Sequence, residues 1–498
     1  MAVFTKHPVS APPAPPVRET TGHLMLRAWC IFVLFLALSG VAWVNAFGAV
    51  VAGAVAIASG VLTIVLWATL RPFIQWRRLP WVVFAYVAWA TLSIAWSAWP
   101  GVSALTWLML AITTLQALFV GAVLTWRELV RAIGSALKWT LGLSLLFELF
   151  VGIFVRGPVL PGFERPTEHF DPIVYWSRGN IFNSGRMQGI WGNANLLGVV
   201  ALLAIIVFAI LYAARSPRRP MLIVWIVISA FFFVRAGSAT TYLSAVVVAV
   251  VLATILLMRT TKRPGERTRY YIAYAVVGIG GLLAVVVWRK ELFTLLGRSS
   301  DLTGRERIWA SVIARAMERP FAGWGYASPW IAGDPHFDRW IIDHGQTVMQ
   351  AHNMWVDLFM QLGIVGIVLM AGVYLAYIWR AWFFAVDRPR WDLVADRPYS
   401  SLTLLPSLVG AVLLVQGLAE SGPLILWGWM FVVMFSFKIK QAPVIGQGAA
   451  EVGAAIERGE AVRADGMAPA ESAGGSASAP ADPAPASEPP ARAAGAGS

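Results

Sequence analysis

Apolar residues in this chain come in long runs rather than in the short alternations of a soluble fold. Runs are readable at about 25–44, 47–67, 80–98, 102–124, 133–155, 196–214, 221–234, 238–258, 271–288, 354–379, 403–418 and 423–437. A helix needs roughly 20 apolar residues to cross a bilayer, so the pattern predicts an all-α polytopic membrane protein with about twelve transmembrane helices. The seventh run is short and could dip rather than cross, and the parity of the chain beyond it depends on which it does. The first run is long and follows a polar leader, residues 1–24, with no small-residue cleavage site, so it is expected to remain as a span.

Two stretches between runs are too long for simple turns: about 156–195 and about 289–351. The transmembrane domain is expected over 25–437. From 438 to 498 the chain is rich in Ala, Pro, Gly, Ser and Glu, which predicts a disordered extension.

Composition agrees, with 58% hydrophobic and only 13% charged residues, far from soluble usage. The net charge of +13 would suit a nucleic-acid partner if it formed a face on a soluble domain. Instead the basic residues sit in short clusters between runs: Arg71, Arg77, Arg78; Arg127, Arg131; Arg215, Arg218, Arg219; Arg259, Lys262, Arg263, Arg267, Arg269; and Arg380, Arg388, Arg390, Arg397. With the N-terminus inside, all seventeen are cytoplasmic, and the short outer turns hold only Arg235. That asymmetry orients both termini to the cytoplasm and both long loops outward. No nucleic acid is expected. Cys30 is the single cysteine, which excludes disulfides and thiolate metal sites.

The outer loops hold the candidate chemistry. Thr303-Gly-Arg-Glu306 is a capping-box pattern ahead of apolar Ile308, Trp309, Val312, Ile313 and Ala316 at helical spacing, with Pro320 as terminator. Arg305 in that first turn either helps a helix N-terminus bind an anion or pairs with Glu306 or a neighbouring acid. Arg186 lies in Gly185-Arg-Met-Gln-Gly-Ile-Trp-Gly-Asn-Ala-Asn195, where glycines admit close backbone approach and Asn193 and Asn195 offer amides; an interfacial arginine beside a lipid headgroup would look the same. His352-Asn353 stands just before the tenth run, suited to a base or to a plain interfacial role. His336, His344 and His352 recur every eight residues among acids, a spacing that matches no zinc pattern. No metal or other cofactor is expected.

Taken together, Gly304-Arg305-x-x-x-Trp309, Pro320-Phe-Ala-Gly-Trp-Gly325, His352-Asn353, Gly363-Ile-Val-Gly366 and the Gly185–Asn195 segment resemble the signature of the O-antigen ligase and polymerase superfamily. The resemblance implies a metal-independent glycosyltransferase that moves a polyprenyl-diphosphate-linked glycan (undecaprenyl diphosphate in bacteria) to a glycan or lipid acceptor on the outer face of the cytoplasmic membrane. It places catalytic roles on Arg186, Arg305 and His352, with Asn193, Asn195, Asn353, Arg307 and Trp309 as substrate contacts. The family often carries Ser-(Arg/Lys)-Thr where this chain has Ser238-Ala-Thr240, with Arg235 or Arg307 as candidate replacements for the basic residue. A multi-span transporter or flippase for an anionic substrate is the alternative, but such proteins place charges within their spans. Here Glu148 is the main intramembrane acid.

The orientation has a direct check. In a Cys30→Ser background, Phe170→Cys and Pro335→Cys should react with a membrane-impermeant thiol reagent in intact cells. Labelling seen only after lysis would invert the topology.

Overall fold

In a computed structural model, the structure describes residues 20–162, 174–216, 219–261, 265–288, 305–331, 333–343, 345–387 and 399–441. Its helices are α1 (Thr21–Leu70), α2 (Trp81–Leu92), α3 (Pro100–Val123), α4 (Trp126–Phe150), α5 (Ala194–Ala213), α6 (Arg219–Ala236), α7 (Ala239–Thr260), α8 (Glu266–Val287), α9 (Arg305–Glu318), α10 (Met354–Val386), α11 (Leu405–Ala419) and α12 (Leu426–Gln441). The only strands among the described residues are the two-residue pair Ile342–Asp343 and Gln346–Thr347. The protein is an all-α polytopic membrane protein.

Every apolar run falls on a helix. Among the described residues, eight helices are long and apolar enough to cross a membrane by themselves. The count differs from twelve for stated reasons. Runs one and two share α1, which breaks at Gly48 (φ 82); α2 and α12 are apolar but only 12 and 16 residues long; and α8 is not among the eight. The doubtful seventh run extends on both sides to give the 18-residue α6, which qualifies as a span. At its C-terminal end α12 continues to Gln441, past the last apolar residue, with Lys438 and Lys440 donating to the carbonyls of Leu124 and Leu79. The rest of the Ala/Pro-rich tail lies outside the described residues, as do His169, His344 and Thr303 of the expected capping box.

Helices α5 and α11 are the most enclosed spans, while α1 and α6 keep most of their surface outward. The outward residues, such as Val50, Ile57, Val61 and Ile64 on α1 and Met221, Ile223 and Val227 on α6, are large and apolar. That is the surface a bilayer requires, since lipid offers nothing to a polar group.

Helix α9 lies in the second loop with Ile308, Val312 and Ala316 buried against Trp99, Trp330, Phe337 and Met360. Of the expected apolar stripe, Ile313 turns outward and is 40% exposed. Four-residue spacing, not three, selects the buried face here.

Helix α10 breaks at Gly363, whose φ of 64 lies in the left-handed region. A break at membrane depth frees carbonyls and amides that need partners. The segment just after α9 supplies them. Trp324 N donates to Met360 O (2.9 Å) and Gly325 N to Gln361 O (2.9 Å), while Ile364 N donates to Pro320 O (2.8 Å). The indole of Trp89 takes the Leu362 carbonyl at 3.1 Å. The Pro320–Gly325 and Gly363–Gly366 motifs are therefore two halves of one joint. An added Cβ at Gly363 would strike the Phe321 carbonyl, and one at Gly323 the Gln361 carbonyl.

Gly363→Ala should accordingly lower the thermal midpoint of the detergent-solubilised protein, since left-handed backbone alone costs a β-carbon about 1–2 kcal/mol before the clash is counted. Gly278→Ala on α8, with open space around it, should be neutral or slightly stabilising. Equal midpoints for the two variants would remove the joint.

Candidate functional site

The two long loops meet at the same end of the helix bundle, around a residue that the motifs do not contain. Glu420 caps the C-terminus of α11, and its side chain is 13% exposed. Arg305 Nη2 pairs with Glu420 Oε1 at 3.0 Å, and Asn195 Nδ2 donates to the same oxygen at 3.1 Å. Glu420 Oε2 lies 2.9 Å from His352 Nδ1 and accepts from Gln350 Nε2 at 3.3 Å. Arg186 joins through Asn195, donating from Nη2 to Asn195 Oδ1 at 2.7 Å, while its Nε donates to Ala236 O at 2.7 Å. Thus Arg186, Arg305 and His352, far apart in sequence, are linked through one carboxylate and one amide.

Each side chain is held from below. Glu148, fully buried on α4, accepts from Gln188 N (3.2 Å), Gly189 N (2.8 Å) and Ser177 Oγ (2.9 Å). The intramembrane acid is thus the anchor of the Arg186 loop. Asn180 Nδ2 and the Arg235 carbonyl tie down the same loop through Arg186 O and Met187 N. Arg305 opens α9. His352 takes a left-handed conformation, φ 51, and the residue before it is gripped by Trp309 Nε1, which donates to Ala351 O at 2.9 Å. Left-handed backbone is uncommon outside glycine, and such outliers persist where surrounding contacts over-determine them.

The remaining candidates divide. Asn193 and Asn353 are helix N-caps: Asn193 Oδ1 accepts from Asn195 N and Leu196 N, and Asn353 Oδ1 from Trp355 N and Val356 N. They orient α5 and α10, and thereby Asn195 and His352. Trp309 positions backbone in the same way. Arg307 points away, donating to Ile342 O at 3.1 Å and lying 3.6 Å from Asp343. Arg235 donates to the carbonyls of Asn180 and Asn183, which commits its guanidinium to the first loop. His336 bonds Asp334 at 2.8 Å and edges onto Trp99.

Glu420 was hidden because an acid directly after an apolar run reads as an ordinary turn residue. Its signal was the question of what neutralises two arginines at a membrane surface.

Comparison with known proteins agrees with these motifs. Residues 224–371 match the family model described as O-antigen ligase, the stretch that carries Arg305, the Gly363 joint and His352. Over that stretch the chain is similar to the O-antigen ligase family. It is 26% identical over 360 residues to the exopolysaccharide production protein ExoQ of Rhizobium meliloti, covering 68% of this chain and 71% of that one. It is also 28% identical over 110 residues to the O-antigen ligase of Pseudomonas aeruginosa, covering 22% of this chain and 24% of that one.

Burial pushes the Glu420 carboxyl upward, but the imidazole of His352, the Arg305 guanidinium and the Asn195 amide outweigh it and hold the group below its ordinary value. A lowered folded value means that ionised Glu420 stabilises the fold above the unfolded glutamate value of about 4.3, and that this is lost as pH falls through the depressed value. Glu420→Gln should therefore destabilise at pH 7 by about 2 kcal/mol, less than the ~3–5 for breaking a fully buried pair, because Arg305 and His352 stay 21% and 31% exposed. Melting curves of both proteins should draw together only below about pH 4. A gap that stays constant down to pH 3 would show that charge at Glu420 does not hold the cluster.

Proposed function

We propose that the chain transfers a glycan from a polyprenyl-diphosphate donor to an acceptor hydroxyl on the outer face of the cytoplasmic membrane, in cell-surface polysaccharide biosynthesis. The observation that supports this reading is the convergence of Arg186, Arg305 and His352 around Glu420 at one end of the bundle. An ionised carboxylate only accepts hydrogen bonds, so the His352 Nδ1 facing it carries the hydrogen. In the neutral ring with that tautomer, Nε2 is the nitrogen whose lone pair meets the acceptor hydroxyl. In the transfer, the acceptor oxygen bonds to the anomeric carbon as the bond from that carbon to the diphosphate oxygen breaks. The hydroxyl proton passes to His352 Nε2, and the electron pair leaves with the lipid diphosphate.

Negative charge therefore grows on the leaving oxygen, and preorganised donors there contribute most; losing one typically costs ~3–4 kcal/mol. Arginine suits the task because it stays protonated and meets phosphate with two parallel N–H groups. Acid–base and charge-stabilising groups all come from the chain, so the proposed reaction is metal-independent. Ligation and polymerisation share this chemistry and differ in the acceptor. The similarity to an exopolysaccharide production protein supports a growing polysaccharide as one acceptor class. The basic clusters support cytoplasmic termini, with the site outward.

The test uses purified protein in vesicles with a synthetic polyprenyl-diphosphate oligosaccharide and a glycan acceptor. His352→Ala should lower transfer by ~10²–10⁴-fold, the usual contribution of a positioned base. Arg305→Lys should lose at least tenfold with unchanged protein level, because lysine keeps the charge but not the fork. Wild-type turnover from His352→Ala would remove the base. Full activity in Arg305→Lys would leave Arg305 as a purely structural partner of Glu420.

A further inference from the structure

Directly beneath the site lies a carboxylate with no place in the transfer chemistry. Asp357, in the first turns of α10, is 1% exposed. Its Oδ2 accepts from Ala351 N at 3.0 Å and from Ser421 Oγ. Ala351 immediately precedes His352, and Ser421 immediately follows Glu420. One oxygen atom therefore holds the backbone N–H before His352 and the side chain after Glu420, although the pair stands 68 residues apart.

The other oxygen faces a different environment. Asp357 Oδ1, Gln361 Nε2 and Trp330 Nε1 are buried without a hydrogen-bond partner, and all three residues line one small cavity with Ala327, Ser328 and Ser421. The cavity gives about 10 Å³ to the centre of a water-sized sphere, close to the least that holds one water molecule. The orientation of the Gln361 amide is set by its surroundings: Oε1 accepts from Ala327 N at 3.1 Å and from Ser328 Oγ at 3.0 Å. Nε2 is thus a donor. Two N–H donors and one carboxylate oxygen match a water that accepts two hydrogen bonds and donates one. A metal cation would meet two N–H groups and is disfavoured.

We infer that Asp357 is the positioning residue of the His352–Glu420 pair, and that the cavity behind its carboxylate is a binding site for a single water bridging Asp357, Gln361 and Trp330. The site joins the segment around Trp330, the first turns of α10 and the turn after α11, the three stretches whose relative placement sets the distance from imidazole to carboxylate. The positioning role rests on the reading of His352 and Glu420 given above; the water site does not.

The test therefore reads geometry and activity separately, on the full chain in lipid nanodiscs. A high-resolution reconstruction without substrate should show one isolated peak about 3 Å from each of Asp357 Oδ1, Gln361 Nε2 and Trp330 Nε1. Asp357→Asn would turn an amide donor toward two donors, so the peak should vanish and the His352–Glu420 contact should lengthen. With the polyprenyl-diphosphate donor, kcat should fall about tenfold or more with KM unchanged, the signature of a misplaced reacting group rather than of lost binding. Ser421→Ala, a milder change that keeps the charge, should fall in the same direction, and Ser421→Thr should restore it by returning the hydroxyl. An empty cavity, or a peak surrounded by oxygens alone, would overturn the water site. An intact pair and unchanged kcat in both Asp357→Asn and Ser421→Ala would overturn the positioning role. Because peak and pair distance are read without turnover, they stand or fall apart from whether His352 is the base.

Discussion

A carboxylate withdrawn from water must be met by donors, and Glu420 imposes that requirement on nearly the whole chain. Its two oxygens collect Asn195 from 225 residues away, Arg305 from 115 and His352 from 68. Each partner sits at the mouth of a different helix, so satisfying one charge fixes the relative heights of α5, α9, α10 and α11. The contacts also tie the described parts of the two long loops to the bundle. Loop closure is entropically unfavourable but grows only slowly with length, so a few charge-assisted bonds suffice where apolar burial is scarce. Because Asn195 before α5 and Arg305 at the start of α9 reach the same carboxylate, the chain between them leaves and returns to one end of the bundle.

Beneath this ionic layer lies a backbone layer with its own accounting. The break at Gly363 exposes peptide groups at a depth where nothing else could bond them, and the Pro320–Gly325 segment fills the gap. The two interactions depend on each other. Were α10 continuous, the segment after α9 would have no dock, and Arg305 at the far end of α9 would lose its register against Glu420. Glycines in the two motifs are thus steric requirements of one joint: Gly363 needs a positive φ, and Gly323 leaves room for a carbonyl.

Much of this was legible in the sequence. The apolar runs located the helices because lipid admits no alternative to them. Arg186, Arg305 and His352 were legible as a set because polar residues at a membrane interface are few, and because their flanking motifs recur in the superfamily. What was not legible is what holds those residues. Glu420 and Asp357 look like a turn acid and a first-turn helix acid, since sequence spacing does not show which oxygen faces which distant donor. Asn193 and Asn353 were read as substrate contacts, and each is found capping a helix, a use that wants the same amide at the same helix start. Ile313 was misjudged in direction, and Arg307 bonds Ile342 and lies beside Asp343. On a lone helix in a loop, the buried face is chosen by what packs over it, and the indole-rich cluster of Trp99, Trp330 and Phe337 lies on the side of Ile308 and Val312.

The same carboxylate that organises the fold would also partition charge during the proposed transfer. Arg305 and His352 share the one ionised glutamate, and Arg186 reaches it through Asn195. As the glycosidic bond forms, the imidazole gains a proton while the leaving diphosphate oxygen gains negative charge. Glu420 lies on the imidazole side and compensates the imidazolium, whereas Arg186 and Arg305 compensate the leaving group. Two opposite charges thus develop on groups already paired with their complements, and little of the surroundings has to reorient. Replacing Glu420 by a neutral residue would then harm the reaction twice, once by loosening the geometry and once by leaving the imidazolium beside two uncompensated guanidinium groups.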